Sequence, residues 1–414
     1  MARDATREAA YALLTAVFDR GRTMEDALNQ LPAMDARDRA AGHRLAAAVL
    51  RRAGTLDAVL EPLLRREPPM PVRHVLRIGA AGLLLLGAAP HAAVGTAVDL
   101  AHANGLKPFA GLVNAVLRKV AAGGVAALED VDSPRLDTPT WLWASWGGEA
   151  RVIAEAHQHE APLDLTLAPG MPPPAEGALL PTGSVRWPSG TAVTAIPGFA
   201  VGKLWVQDAA AALPAQLLAP RPGERIADLC AAPGGKTAQL AAAGARVTAV
   251  ERDPARLGRL KENLARWDLD VELVEADATT WTPPALFDAV LLDAPCTATG
   301  TIRRHPDIPR LKRPRDVQTQ SEGQNALLVA AARMLKPGGR LIYAVCSLQP
   351  EEGAGRVSAE RLAALGLRHD PFQADALPGL PEAITAEGYL RTHPGLWRDR
   401  GGMDGFFAAR LMRV

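Results

Sequence analysis

Cysteine is scarce in this chain, with three thiols in 414 residues. A sparse, odd count excludes a disulfide framework and points to a reducing compartment. Long hydrophobic runs are missing as well. The longest, Ile78 to Ala89, spans 12 residues, contains three glycines and stops at Pro90. A helix that crosses a bilayer needs roughly 20 apolar residues. The first residues, Met1 to Glu8, have no apolar stretch and do not form a secretory signal. An excess of one charge is also absent, since the net is +1. These absences predict a soluble, cytoplasmic protein with no membrane partner. The near-neutral total conceals an asymmetry: residues 1–120 carry 16 Lys/Arg against 11 Asp/Glu, and the remainder 30 against 34. A modestly basic front permits contact with a polyanion, and a solvated arginine-rich surface explains it equally well.

What is present is an ordinary globular balance, 48% hydrophobic against 22% charged, in a length that suggests two or three domains. Residues 1–130 read as helix after helix, with Tyr11, Leu14, Val17 and Phe18 on one face and His43, Leu45, Val49 and Leu50 on another. Further helices are expected over Val72–Leu86, His91–His102 and Phe109–Val120, punctuated by Pro71, Pro90, Gly105 and Pro108. Residues 131–205 read as a small α+β connector with Trp141, Trp143 and Trp146, a helix over Glu149–His159 and a strand over Asp164–Leu167. In Ala168–Gly190, 10 of 23 residues are Pro or Gly, which predicts loop. His157 and His159 lack further ligand-type neighbours, so no metal is expected.

From residue 206 to 414 strands and helices alternate, the signature of a mostly parallel sheet with covering helices. Strands are expected at Arg225–Leu229, Arg246–Val250, Val271–Val274, Phe287–Leu292 and Arg340–Val345, with a closing strand at Gly405–Arg410. Helices are expected at Lys236–Ala243, Pro254–Trp267, Gln318–Leu335 and Pro350–Leu365. All three cysteines follow apolar runs of strand length: Cys230, Cys296 in Leu291-Leu292-Asp293-Ala294-Pro295-Cys296, and Cys346 in Leu341-Ile342-Tyr343-Ala344-Val345-Cys346. The carboxyl edge of an open α/β sheet is where ligands sit. Two thiols delivered there suggest a nucleophile and a partner, with buried structural cysteine as the bland alternative.

Cys230-Ala231-Ala232-Pro233-Gly234-Gly235-Lys236-Thr237 joins a strand to a helix through two glycines that admit a close ligand. A phosphate-binding P-loop needs a glycine where Cys230 stands, and the dinucleotide pattern G-x-G-x-x-G is missing. Glu251 ends the second strand, placed for ribose hydroxyls, and Asp277 follows the third, placed for an adenine amino group. A loop and two acids without a polyphosphate cradle describe a nucleoside pocket that S-adenosylmethionine fits. The loop Thr301–Arg315 carries Arg303, Arg304, Arg310, Lys312, Arg313 and Arg315 against Asp307 alone. It is suited to the phosphates around an extruded base, or it is simply solvated.

Four segments resemble the RNA 5-methylcytosine methyltransferases: Leu229 to Thr237, Asp293-Ala294-Pro295-Cys296-Thr297-Ala298-Thr299-Gly300, Arg303-Arg304-His305-Pro306-Asp307, and Cys346-Ser347. The helices leading to Leu112-Val113-Asn114-Ala115-Val116-Leu117-Arg118 resemble the NusB antitermination fold, and Gln207-Asp208-Ala209-Ala210 resembles the family's approach to its catalytic domain. The resemblance implies an all-α NusB-like N-terminal bundle, a small α+β connector and a Rossmann-like class I methyltransferase domain with a mostly parallel sheet. It implies S-adenosylmethionine as cofactor, held by Cys230, Ala231, Ala232, Pro233, Gly234, Gly235, Lys236, Glu251, Asp277 and Asp293. It assigns attack on carbon 6 of cytosine to Cys346, product release to Cys296 and a contact to the base to Asp293. Arg303, Arg304 and His305 would bind RNA. Two departures are visible: Glu251 stands where aspartate is common, and Val345 replaces the usual threonine.

An unperturbed thiol, pKa ~8.5, is only a few per cent ionised at neutral pH. A helix starting at Pro350 is expected to help the thiolate by about 0.3–1 kcal/mol. The expected partner is small-subunit ribosomal RNA, free or in an assembly intermediate, met by a monomer. Transfer RNA as substrate, a P-loop nucleotidase and a non-catalytic RNA-binding assembly factor are the competing readings.

Overall fold

The computed structural model describes residues 4–414. Its contacts divide the chain into two compact units. One comprises the residues up to His159 together with Ile302–Arg313, the other Glu160–Thr301 together with Pro314–Val414.

The first unit is helical, with its main helices at Ala5–Arg20, Met24–Asn29, Ala36–Arg51, Ala53–Leu60, Met70–Leu84, Pro90–Ala103 and Ala110–Gly123. Local chemistry starts the first three. Asp4 accepts from Arg7 N at 3.0 Å, Thr23 from Asp26 N at 3.1 Å and Asp35 from Arg37 N at 2.8 Å, each satisfying a donor that the helix leaves open. Leu14, Val17, Leu45, Val49 and Leu50 enter one core with Val75, Leu76, Val113 and Leu117, and Tyr11 and Phe18 pack against it. Lys107–Leu128 is long and apolar enough to cross a membrane by length and composition. Asn114, Arg118 and Lys119 interrupt it, so a reading based on unbroken apolar runs passes over it. Here the stretch is three successive pieces, and Val113, Val116, Leu117 and Val120 are buried in the bundle.

Short helices at Ser133–Asp137, Thr140–Trp146 and Ala150–Ala156 belong to the same unit. Buried Asp137 explains why: it accepts from Thr55 N at 2.8 Å, Thr55 Oγ1 at 2.7 Å and Arg52 Nε at 3.2 Å. The boundary between units therefore falls inside 131–205. Trp146 is buried edge-on to His157 at 5.5 Å. The basic segment is not an open loop. Ile308–Leu311 is helical, Met24 N donates to Asp307 Oδ2 at 2.9 Å, and Arg51 Nη2 donates to the Arg303 carbonyl at 2.9 Å.

The second unit holds two sheets. The smaller is antiparallel, with β1 (Leu163–Leu167), β2 (Ala178–Leu179), β3 (Val185–Trp187) and β4 (Leu204–Val206) in the order β2-β3-β1-β4. Two of its strands thus arise inside the Pro/Gly-rich stretch expected to be loop. Leu165, Val185, Trp187, Ile196 and Leu204 form a core that outweighs the local composition. Asp164 and Arg186 are joined across β1 and β3 by two bonds of 2.6 and 2.7 Å.

The larger sheet contains β5 (Arg225–Leu229), β6 (Arg246–Glu251), β7 (Glu272–Glu275), β8 (Phe287–Asp293), β9 (Leu335–Val345), β10 (Leu367–His369), β11 (Leu390–Arg391) and β12 (Phe407–Arg413). Its order is β10-β12-β9-β8-β5-β6-β7, with β11 also on β12. Strands β5 to β9 are parallel, and β12 runs antiparallel to β9 with Phe407 opposite Val345. The expected helix at Pro254–Trp267 is present over those residues, capped by Asp253, and Pro314–Met334 covers the other face. The helix expected from Pro350 does not form. Turns and a single 3-10 turn at Ala354–Arg356 occupy the segment, and helix resumes only at Ala359–Ala364. Gly353 and Gly355 weaken helix there, and Glu352 is engaged elsewhere.

Candidate active site

Strand order reverses between β5 and β8, which places a crevice at the carboxyl ends of the parallel strands. The first element there is the turn from β5 into the helix Gly235–Ala242. Cys230 takes the left-handed region at φ +61. At Gly234, φ is +107 and a Cβ would stand 2.5 Å from Leu260 Cδ1, so only glycine fits. Arg256 Nη2 donates to Ala232 O at 2.8 Å and Asn263 Nδ2 to Pro233 O at 3.0 Å, which holds the turn.

Glu251 ends β6 with 2% of its surface exposed. Its Oε1 accepts from Arg252 N at 3.0 Å and Asp253 N at 3.1 Å, while Oε2 has no hydrogen-bond donor and faces Arg256 Nη1 as an ion pair at 3.4 Å. Ala276 N donates to Glu251 O at 3.2 Å, so Asp277 follows alongside. Asp277 is exposed and accepts from Thr279 N at 2.8 Å and Thr279 Oγ1 at 2.6 Å, which lowers its pKa. Burial pushes the Cys230 thiol up to about 12, with Glu251, Asp293 and Asp228 adding to the effect. A thiol raised that far stays protonated at neutral pH.

The two remaining sulfurs meet. Cys296 Sγ and Cys346 Sγ lie 3.4 Å apart, one from the loop after β8 and the other from the end of β9. Backbone bonds tie these segments together: Ala294 N to Ala344 O at 2.9 Å and Gly300 N to Cys346 O at 3.0 Å. A Cβ on Gly300 would come 1.9 Å from Gly405 O, so glycine is required for the loop to close against the lead into β12. The hydrogen bond with Cys346 and then burial raise the Cys296 pKa well above its ordinary value, which keeps that thiol protonated.

Lys236 Nζ donates to Asp293 Oδ2 at 2.8 Å. Burial acts to lower the Lys236 pKa, but the Asp293 carboxylate outweighs it, Cys346 adds to the rise, and the net shift is upward. The helix start expected at Pro350 is absent, and Lys236 is a cation that interacts electrostatically with Cys346.

Behind the thiols lies a buried polar cluster of Glu352, Thr297, Ser347, Thr299 and Gln324. Reading the sequence did not find it, because Glu352 sat in an expected helix. The hydroxyl residues directly after each cysteine were the available signal. Among the RNA-binding candidates, Arg303 departs from expectation, since it is 2% exposed and buried in the helical unit. Arg304 is exposed and His305 half-buried. Among the described residues no group of His, Cys, Asp or Glu is arranged to hold a metal ion.

A mostly parallel sheet with a glycine turn, a row of acids and paired thiols at one edge has the architecture of a class I methyltransferase. The profile of the 16S rRNA methyltransferase RsmB/F family matches residues 215–412, and that of the NusB family matches residues 4–122. A ribosomal RNA small subunit methyltransferase B from Sodalis glossinidius (strain morsitans) is 35% identical over 96% of this chain and 95% of its own. The protein of that name from Xanthomonas campestris pv. campestris is 38% identical over 86% of this chain and 87% of its own. The chain belongs to the ribosomal RNA small subunit methyltransferase B family. The crystal structure of PH0851 shares the fold with a TM-score of 0.75 at 22% identity, covering 99% of each chain. A methyltransferase homolog protein from Pyrococcus horikoshii has a TM-score of 0.53 at 25% identity, covering 69% of this chain and 96% of that one.

Proposed function

We propose that this protein methylates carbon 5 of a cytosine in small-subunit (16S) ribosomal RNA, through a transient bond between Cys346 and carbon 6 of the base. Family membership over nearly the full length supplies the reaction class and the RNA. The observation that carries the chemistry is the 3.4 Å separation of the Cys296 and Cys346 sulfurs at the sheet edge.

S-adenosylmethionine, when bound, supplies an electrophilic methyl group. The residues fit it: Glu251 Oε2 is buried without a hydrogen-bond donor, where a ribose hydroxyl would complete it. Gly234 and Gly235 open the turn, and Asp277, just past the end of β7, would hold the adenine amino group. Cys230, Ala231, Ala232, Pro233, Lys236 and Asp293 would complete the wall.

Cytosine carbon 5 is a weak nucleophile until a group adds at carbon 6. The Cys346 thiolate forms the sulfur–carbon bond, stabilised by the Lys236 ammonium. Asp293, held by Lys236, accepts from the exocyclic amino group of the cytosine and orients the base for the attack. After methylation, carbon 5 gives its proton to solvent water, the C–H electron pair re-forms the ring double bond, and the sulfur–carbon 6 bond breaks to return the Cys346 thiolate. Cys296 assists this release, its sulfur being next to the departing one. Arg304 and His305 contact phosphates of the RNA. One chain supplies every residue named, so a monomer suffices, working in the cytoplasm where ribosomes are assembled.

Cys346→Ala is expected to abolish methyl transfer, and Cys296→Ala to accumulate a protein–RNA adduct that survives denaturing electrophoresis. Near-normal turnover in both variants would overturn the assignment. Bisulfite mapping of small-subunit ribosomal and transfer RNA from cells lacking the protein identifies the substrate. Loss of a methyl mark from transfer RNA alone would refute the ribosomal reading.

A further inference from the structure

We propose that Glu352 is a positioning residue for this reaction, a buried carboxylate that fastens the residues after both cysteines and thereby sets the spacing of the two sulfurs. The inference rests on the catalytic roles assigned above to Cys346 and Cys296.

Glu352 has no exposed surface, and all its acceptor sites are filled. Oε1 accepts from Thr297 N at 2.9 Å and Gln324 Nε2 at 3.3 Å. Oε2 accepts from Thr297 Oγ1 at 2.5 Å and Ser347 Oγ at 2.5 Å. Thr297 follows Cys296 and Ser347 follows Cys346, so one carboxylate grips both loops one residue beyond each sulfur.

The attachment is redundant on both sides. Gln324 Nε2 also donates to Pro295 O at 2.9 Å, the residue before Cys296. Ser347 Oγ accepts from Gln349 N at 3.0 Å and lies 3.1 Å from Thr299 Oγ1, which itself accepts from Leu348 N at 3.0 Å. Glu352 in turn is anchored by the Tyr343 hydroxyl, which donates to its carbonyl at 2.5 Å. A buried polar cluster costs folding energy wherever a member is left unpaired, as Gln324 Oε1 is here. Nothing in the packing of β8 against β9 requires one at this point. Its geometric effect is to add a side-chain link, one residue beyond each sulfur, to the backbone bonds from Ala294 N to Ala344 O and from Gly300 N to Cys346 O.

A general consequence follows for catalysis: a displacement of about 1 Å between reacting groups costs on the order of 100-fold in rate. Glu352→Gln keeps the side chain's shape but replaces one acceptor oxygen by a donor NH2 facing the Thr297 and Ser347 hydroxyls. The variant should melt like the parent and bind S-adenosylmethionine with unchanged KM, while kcat falls roughly 10- to 100-fold.

An independent ruler is phenylarsine oxide, which condenses with two neighbouring thiols, forming two arsenic–sulfur bonds and releasing one water without any oxidant. The unaltered protein should take up one arsenical per chain across Cys296 and Cys346, and Glu352→Gln should do so more slowly. Unchanged bridging in Glu352→Gln overturns the proposal, whether or not kcat falls. Slower bridging in the variant of a protein whose parent methylates no RNA cytosine would uphold the clamp and overturn the catalytic roles of the thiols. If Glu352→Gln does not fold, Ser347→Ala carries the test. It removes only the Cys346 side and should slow both readouts by a smaller factor, and parental values in both would refute the clamp.

Discussion

Asp228 gives the sharpest physical prediction. It lies in β5, 1% exposed, and accepts from Thr237 Oγ1 at 2.6 Å, while its other oxygen, Oδ1, has no donor. Burial, with the Asp293 and Glu251 carboxylates adding to it, raises its pKa from 3.8 to about 7, against the opposing effects of Thr237 and Lys236. The folded protein therefore holds a proton that the unfolded chain releases near pH 4. Between those values the native state binds more protons, so stability falls as pH rises from about 4 to about 7 and levels off above. Three pKa units at about 1.4 kcal/mol each give about 4 kcal/mol as the full swing. Asp228→Asn keeps an acceptor for Thr237 and cannot ionise. Thermal melts from pH 4.5 to 8, without S-adenosylmethionine, should show a declining profile for the parent that is flatter in the variant. Parallel profiles across that range would refute the assignment of a buried, protonated carboxyl.

Two further tests address the pocket and its support. Glu251→Gln replaces the open Oε2 acceptor at the end of β6 and should weaken S-adenosylmethionine binding by about 10-fold in calorimetry, with little effect on melting. Arg186→Leu leaves Asp164 buried without the guanidinium that donates to it at 2.6 and 2.7 Å. Breaking such a pair costs about 3–5 kcal/mol, so chemical denaturation should report a loss of that order.

Much of the catalytic unit is legible in the chain. Pro254–Trp267 announces its helix through an Asp253 cap, a proline in the first turn and a regular apolar stripe. β5 and β6 read clearly because buried parallel strands are nearly continuous apolar runs. The thiols, too, could be placed at strand ends, but their separation of 3.4 Å could not, since it depends on the register of β8 against β9. Three readings failed for one shared reason, that a local pattern was outvoted by distant partners. β2 and β3 form among prolines and glycines because β1 lies ready to pair with β3. Arg303 is basic yet buried in the helical unit. Glu352 follows Pro350 like the first turn of a helix, but the hydroxyls of Thr297 and Ser347, 55 and 5 residues away, claim its carboxylate.

The placement of β12 has a consequence for gene truncation. A stop codon between the codons for Arg391 and Phe407 would leave every sulfur and carboxylate of the pocket encoded, Glu352 included. The polypeptide would nonetheless lose the neighbour that zips along β9 from Arg340 to Val345, and with it the landing place of β10 and β11. Such a shortened product should behave as a chemically complete yet unzipped enzyme, exposing a raw sheet margin prone to clumping.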